Sequence, residues 1–202
     1  MNLPNSLTLT RIFLVPLLVV VLLTKFEGRL ILGVPKEIVG AAIFGLASLT
    51  DWLDGYLARR RKEVTTLGQV IDPLADKLLT SAALISLVQM NLAPAWMAVV
   101  IIGREFAVTG LRSLAYARGV VIPASPLGKI KMVAQVVAIL ALILGRGQLP
   151  RLYAIGLVAL WVVVVTAIVS AADYFRRFNA VLPPRVAEFP VPRDQRSDRK
   201  AV

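Results

Sequence analysis

Four aspartates fall in two pairs: Asp51 and Asp54 stand three apart in 51-DWLDGYLAR-59, and Asp72 and Asp76 four apart in 72-DPLAD-76. Helix residues three or four apart share a face, so each pair offers two carboxylates on one side. The segment Arg60 to Leu67 between them is short, which predicts that the two helices are antiparallel neighbours with all four carboxylates at one depth. Carboxylates partly withdrawn from water repel or hold protons unless cations neutralise them, and a divalent metal does so most simply. The chain has no Cys and no His, so the ligands must be oxygens. That points to Mg²⁺, Mn²⁺ or Ca²⁺, and a site with open positions for phosphate oxygens favours the first two. Such a centre suits gripping a pyrophosphate or phosphoryl group. Gly55 and Ala58 follow Asp51 by four and seven positions and leave room on its face for a ligand, while Arg59 can meet a phosphate. A membrane-exit cap, with the acids paired to Arg59 to Lys62, is the plainer alternative, but it does not need four acids in two helix-spaced pairs.

The elements that must carry these residues are membrane helices. Of 202 residues, 57% are hydrophobic and the mean hydropathy is +0.75, above the roughly 45–50% apolar content of soluble domains. Six apolar segments are long enough to be candidate spans: Leu7 to Thr24, Ile38 to Leu57, Leu67 to Met90, Ala95 to Ala117, Ile130 to Gly145 and Leu152 to Ala172. Gly33, Pro35, Pro94, Pro123, Pro126, Gly145, Gly147 and Pro150 punctuate them. The N-terminus lacks the basic start and cleavage site of a signal peptide and reads as a retained first helix. The expectation is an all-α membrane protein with six transmembrane helices. Sixteen Lys and Arg fall on the side holding Arg59 to Lys62 and the C-terminal tail, against Lys25, Arg29, Lys36, Arg146 and Arg151 on the other, which predicts both termini in the cytoplasm. Residues 1–178 form the six-helix catalytic domain, and 179–202 a basic, Pro-rich tail expected to be disordered. The net charge of +11 is not gathered into an aromatic-interleaved patch, so membrane lipids, not nucleic acid, are the expected partner.

The fourth helix carries Glu105, Thr109, Arg112 and Tyr116 at spacings of four, three and four, a polar stripe predicted to face the bundle interior. Glu105 is deep enough to need an arginine partner, Arg104 or Arg112. Lys129 and Lys131 begin the fifth helix about 200° apart, so one is expected to touch substrate and the other to anchor headgroups. Arg112, Lys129 and Lys131, with Arg118 in reserve, would make a phosphate subsite beside the acidic centre. An acceptor that itself carries phosphate fits this better than choline, ethanolamine or serine. Trp52, Trp96 and Trp161 read as interface or packing aromatics, Lys77 as a carboxylate partner or a snorkelling cation, and Asp173 as a membrane-exit residue.

Residues 51–76 resemble the signature of the CDP-alcohol phosphotransferase family, D-x2-D-G-x2-A-R-x8-G-x3-D-x3-D, with Asp51, Asp54, Gly55, Ala58, Arg59, Gly68, Asp72 and Asp76 at every fixed position. The resemblance implies a homodimeric six-helix membrane enzyme moving a phosphoryl-linked group from a CDP-linked donor to an alcohol with release of CMP. It implies that Asp51, Asp54 and Asp72 ligate metal, with Mg²⁺ or Mn²⁺ in two sites, and that Asp76 shares the second ion while taking the proton of the attacking hydroxyl. Gly55 and Ala58 would lie against the cytidine nucleotide, Arg59 and Thr65 would reach its phosphates or sugar, and Pro4, Asn5 and Ser6 would close over it.

The strings REFAVTGLR and GKIK are similar to those of members whose donor is CDP-diacylglycerol and whose acceptor is sn-glycerol 3-phosphate, although Met132 stands where many carry Thr. The similarity implies glycerol-3-phosphate contacts from Arg112, Arg118, Lys129 and Lys131. Inositol phosphate, serine or a second lipid are alternative acceptors. A divalent-cation transporter is the alternative of another class, disfavoured because the acids sit at one end of their helices and no inverted repeat is evident.

Overall fold

In the computed structural model, the backbone is described for residues 3–24, 30–31, 33–61, 66–117, 126–146 and 149–181, and side chains for 10–24, 31, 33–50, 74–116, 130–146, 149–176 and 178. Six helices account for nearly all of it: α1 (Leu3–Leu23), α2 (Lys36–Arg61), α3 (Thr66–Gln89), α4 (Ala95–Ala117), α5 (Pro126–Gly145) and α6 (Pro150–Val181). Among the described residues one stretch, Pro150–Arg176 of α6, is long and apolar enough to cross a membrane by length and composition alone.

Several helices outrun their apolar segments. The sixth ends at Val181 instead of Ala172, and the fifth starts at Pro126 instead of Ile130. Hydropathy registers only the apolar part of a helix, whereas backbone hydrogen bonding continues through polar turns. Pro126 and Pro150, expected to separate helices, open them, because the first helical position has no use for the missing N–H. Pro16 likewise lies inside α1 without ending it. One feature lay outside the helical reading. Strands β1 (Leu30–Ile31) and β2 (Val34–Pro35) pair antiparallel between α1 and α2, with Gly33 at φ 80, a left-handed conformation that glycine takes without a Cβ penalty.

Buried side chains from all six helices form one core, including Leu18, Phe44, Leu84, Ile101, Leu142 and Leu160. Among the described residues α1 packs on α2 and α3, α5 on α6 and α2, and α4 on α6. The ends of α2 and α3 that the short connection joins carry residues 51–61 and 66–73, whose side chains lie outside the described residues; among the described ones the two helices touch only lightly. Helix α1 packs against both, and a polar cavity lined by Ser48 of α2 and Asp76, Lys77 and Thr80 of α3 lies between them.

Helix ends are closed by specific groups. Lys36 Nζ donates to the carbonyls of Leu22 and Thr24, each at 3.0 Å, joining the end of α1 to the start of α2. Asn91, at φ 58, ends α3 with the bonds Leu92 N to Leu87 O and Asn91 N to Val88 O, a Schellman arrangement. The tightest approach joins α5 and α6, where a Cβ on Gly145 would lie 2.5 Å from the backbone nitrogen of Tyr153. Gly145→Ala must therefore push two backbones apart, and about 1–3 kcal/mol of stability should be lost. Thermal unfolding of the purified protein in detergent checks this.

Candidate active site

A cavity of about 140 Å³ opens where α2, α3, α4 and α5 converge. It is large enough to hold several water molecules or a small polar solute. Ser48 comes from α2, and Asp76, Lys77 and Thr80 from three positions on one face of α3. Arg104 and Glu105 come from α4, and Lys131, Met132, Gln135 and Val136 from α5. Among the described residues, three cations thus face two carboxylates around the cavity.

The charged wall is organised around Glu105. Its Oε1 accepts from Arg104 NH1 at 3.1 Å and is paired with Lys131 Nζ. Arg104 NH2 donates in turn to Ser170 on α6, which is fully buried. Lys131 itself is 4% exposed. Burying a cation this deeply requires a close counter-ion, and Glu105 provides one for two cations at once. The expectation that Glu105 needs an arginine is met by Arg104; the second cation is a lysine from the next helix. Lys77 Nζ donates to the hydroxyl of Thr109, which donates to the carbonyl of Glu105 at 2.8 Å, so α3 is tied to the same turn of α4.

The polar stripe of α4 enters the interior only in part. Glu105 and Thr109 are half-buried, but Arg112 is exposed and Tyr116 is 75% exposed. Beside the stripe on these turns, Val108 and Ala115 are buried against Tyr174 of α6. The side chains of Pro4, Asn5, Ser6, Asp51, Asp54, Gly55, Ala58, Arg59, Asp72 and Lys129 lie outside the described residues although their backbone is helical, and Thr65 and Arg118 lie outside them altogether. Among the described residues no three acidic side chains form a metal-sized group. Counted along the helix axes at 1.5 Å per residue, Asp51 lies about 15 Å from the Arg61 end of α2 and Asp76 about 15 Å from the Thr66 end of α3. The two pairs therefore occupy matching levels of their helices, and an all-oxygen set at that level fits a hard divalent cation.

Gln135, Ser48, Thr80 and Ser170 were not singled out from the sequence. Gln135 had a signal: it follows Lys131 by four residues and interrupts an apolar run, so it had to share the lysine's face. Ser170 lies 66 residues from Arg104 and had none.

A family model described as CDP-alcohol phosphatidyltransferase matches residues 1–169. A Bacillus subtilis protein named CDP-diacylglycerol--glycerol-3-phosphate 3-phosphatidyltransferase is 50% identical over 182 residues, covering 87% of this chain and 94% of its own. One of the same name from Rickettsia typhi is 37% identical over 177 residues, covering 87% of this chain and 96% of its own. A Mycobacterium tuberculosis protein named probable phosphatidylglycerophosphate synthase is 39% identical over 179 residues, covering 87% and 81%. With the family model spanning most of its length and half of its residues shared with a relative of nearly the same extent, the chain belongs to the CDP-alcohol phosphatidyltransferase family.

Proposed function

We propose that the chain is a phosphatidylglycerophosphate synthase, transferring the phosphatidyl group of CDP-diacylglycerol to sn-glycerol 3-phosphate. The products are phosphatidylglycerol phosphate and CMP. The names of the relatives support the substrates, and the observation that carries the acceptor is the cavity beside Asp76 with Lys77, Arg104 and Lys131 on its wall. A small phosphorylated alcohol suits the cations on this wall, whereas serine brings a cation of its own.

In the reaction the acceptor hydroxyl oxygen attacks the phosphatidyl phosphorus, the bond to the CMP oxygen breaks, and the hydroxyl proton passes to Asp76. Asp76 faces the cavity where the acceptor sits, as a general base requires. Arg104 and Lys131 hold the acceptor phosphate away from the reacting end, and alignment of this kind is most of what phosphoryl transfer asks of a protein. Asp51, Asp54, Asp72 and Asp76 would hold two Mg²⁺ or Mn²⁺ ions, which when bound supply charge neutralisation at the donor pyrophosphate. Gly55, Ala58, Arg59 and Thr65, with Pro4, Asn5 and Ser6, bind the cytidine nucleotide in this reading, and Arg112, Arg118 and Lys129 draw the acceptor toward Lys131.

The same reading places all six helices in the bacterial inner membrane with both termini and the site on the cytoplasmic side. Phe13, Leu46, Val99, Val133 and Val158, on five helices, are each more than 60% exposed, an apolar surface too extensive for water. Hydroxyls of Ser48, Thr80, Thr109 and Thr166 all donate to carbonyls four residues back, the satisfaction that hydroxyls need in hydrocarbon. A homodimer also belongs to the reading: Gly103, Ala107 and Gly110 form an exposed strip of small residues on α4 that permits close helix approach.

The test is CMP release from purified protein in mixed micelles. Release should require CDP-diacylglycerol, glycerol 3-phosphate and Mg²⁺ or Mn²⁺ together, stop with chelator and return when metal is restored. Faster release with inositol phosphate or serine than with glycerol 3-phosphate would reassign the acceptor.

A further inference from the structure

Gln135 is 5% exposed, lines the cavity, and makes no hydrogen bond to any protein group among the described residues. The amide opens onto the cavity, so its hydrogen-bonding capacity is directed at whatever occupies that space. A molecule in the cavity is the partner the position invites.

The neighbours define what kind of molecule. Ser48 Oγ donates to Phe44 O at 2.8 Å, and Thr80 Oγ1 donates to Asp76 O at 3.0 Å, so both hydroxyl protons are committed to their own helices. What Ser48 and Thr80 still offer is oxygen lone pairs. Gln135 offers both a carbonyl and an NH₂ group. Together these three make a neutral region that can accept from and donate to an alcohol, which is itself both donor and acceptor. Lys131 stands one turn before Gln135 on the same face of α5 and is paired with Glu105 of α4. Along α5 the wall of the cavity therefore carries a cation that suits phosphate and, one turn on, an amide that suits hydroxyl.

We propose that Gln135 is a specificity-determining residue that binds the acceptor's second, non-reacting hydroxyl, selecting a phosphorylated polyol over a phosphorylated simple alcohol. This rests on the acceptor reading above and names how the same site tells one acceptor from another. Met in place of Gln135 keeps the length and volume and removes both polar functions.

The experiment compares wild type and Q135M with two acceptors, sn-glycerol 3-phosphate and 3-hydroxypropyl phosphate, which keeps the reacting hydroxyl and lacks the middle one. Loss of a buried hydrogen bond predicts that Q135M lowers kcat/KM for glycerol 3-phosphate about 10- to 100-fold, mainly through KM, and changes that for 3-hydroxypropyl phosphate no more than about twofold. The KM for CDP-diacylglycerol should not move. Equal loss with both acceptors, or no loss with glycerol 3-phosphate, overturns the proposal and leaves the enzyme's assignment intact. A wild-type protein that releases CMP with neither acceptor overturns the assignment itself and the proposal with it. Should Q135M not fold, Q135N, which keeps the amide but shortens its reach, carries the same comparison, with the same selective loss expected for glycerol 3-phosphate.

Discussion

Asp76→Asn should bind CDP-diacylglycerol nearly as well as the parent protein and turn it over about 100- to 10,000-fold more slowly, the range removed with a general base. Asparagine keeps the shape of the side chain and one acceptor oxygen but cannot take a proton. Because Asp76 is also a candidate metal ligand, the prediction needs a control that separates the two roles. Asp72→Asn, one helical turn earlier on α3, changes only ligation in the proposed scheme, so added Mg²⁺ or Mn²⁺ should recover part of its activity and little of that of Asp76→Asn. Donor binding measured by titration, beside single-turnover CMP release, reads the two quantities independently. Turnover in Asp76→Asn within a few-fold of the parent would remove Asp76 as the base.

The motif aspartates illustrate what a sequence of this kind can and cannot disclose. Their spacing states that Asp72 and Asp76 share a face; Asp76 lines the cavity with Lys77 and Thr80, and the side chain of Asp72 lies outside the described residues. Helix number was legible because each apolar segment needs its backbone satisfied internally, and the helix is the local way to do that. Packing order was not. The short segment between α2 and α3 predicts that they are neighbours, but nothing local in either sequence encodes that α1 packs on both or that a polar cavity lies between them. The stripe on α4 failed for a related reason. Periodicity gives the face of a helix without saying what packs on that face at each level, and Glu105 is half-buried while Arg112 is exposed on the same stripe. Pairings across the fold were least legible of all: Glu105 required a cation, yet the choice of Arg104 and Lys131, with Ser170 behind Arg104, is made by three helices meeting.

That meeting point gives the second large effect. Glu105→Gln should destabilise the protein by about 3–5 kcal/mol, the cost of leaving a buried charge unpaired, because it strips the counter-ion from two cations whose side chains are 5% and 10% exposed. Lys131→Met should be milder for stability. It removes one of the two cations, and Glu105 remains paired with Arg104, itself held by Ser170. Its activity should fall instead through a raised KM for glycerol 3-phosphate, since the acceptor phosphate loses a cation while the donor site is untouched. The double variant should recover part of the stability lost in Glu105→Gln, because one of the two stranded charges is then gone, and the recovered part measures the coupling between α4 and α5. Thermal midpoints of the three variants in detergent, read beside their KM values, decide the matter. If Glu105→Gln is as stable as Lys131→Met, then Glu105 is not what holds the cationic wall together, and the buried position of Lys131 must be maintained by the apolar packing of α5 against its neighbours.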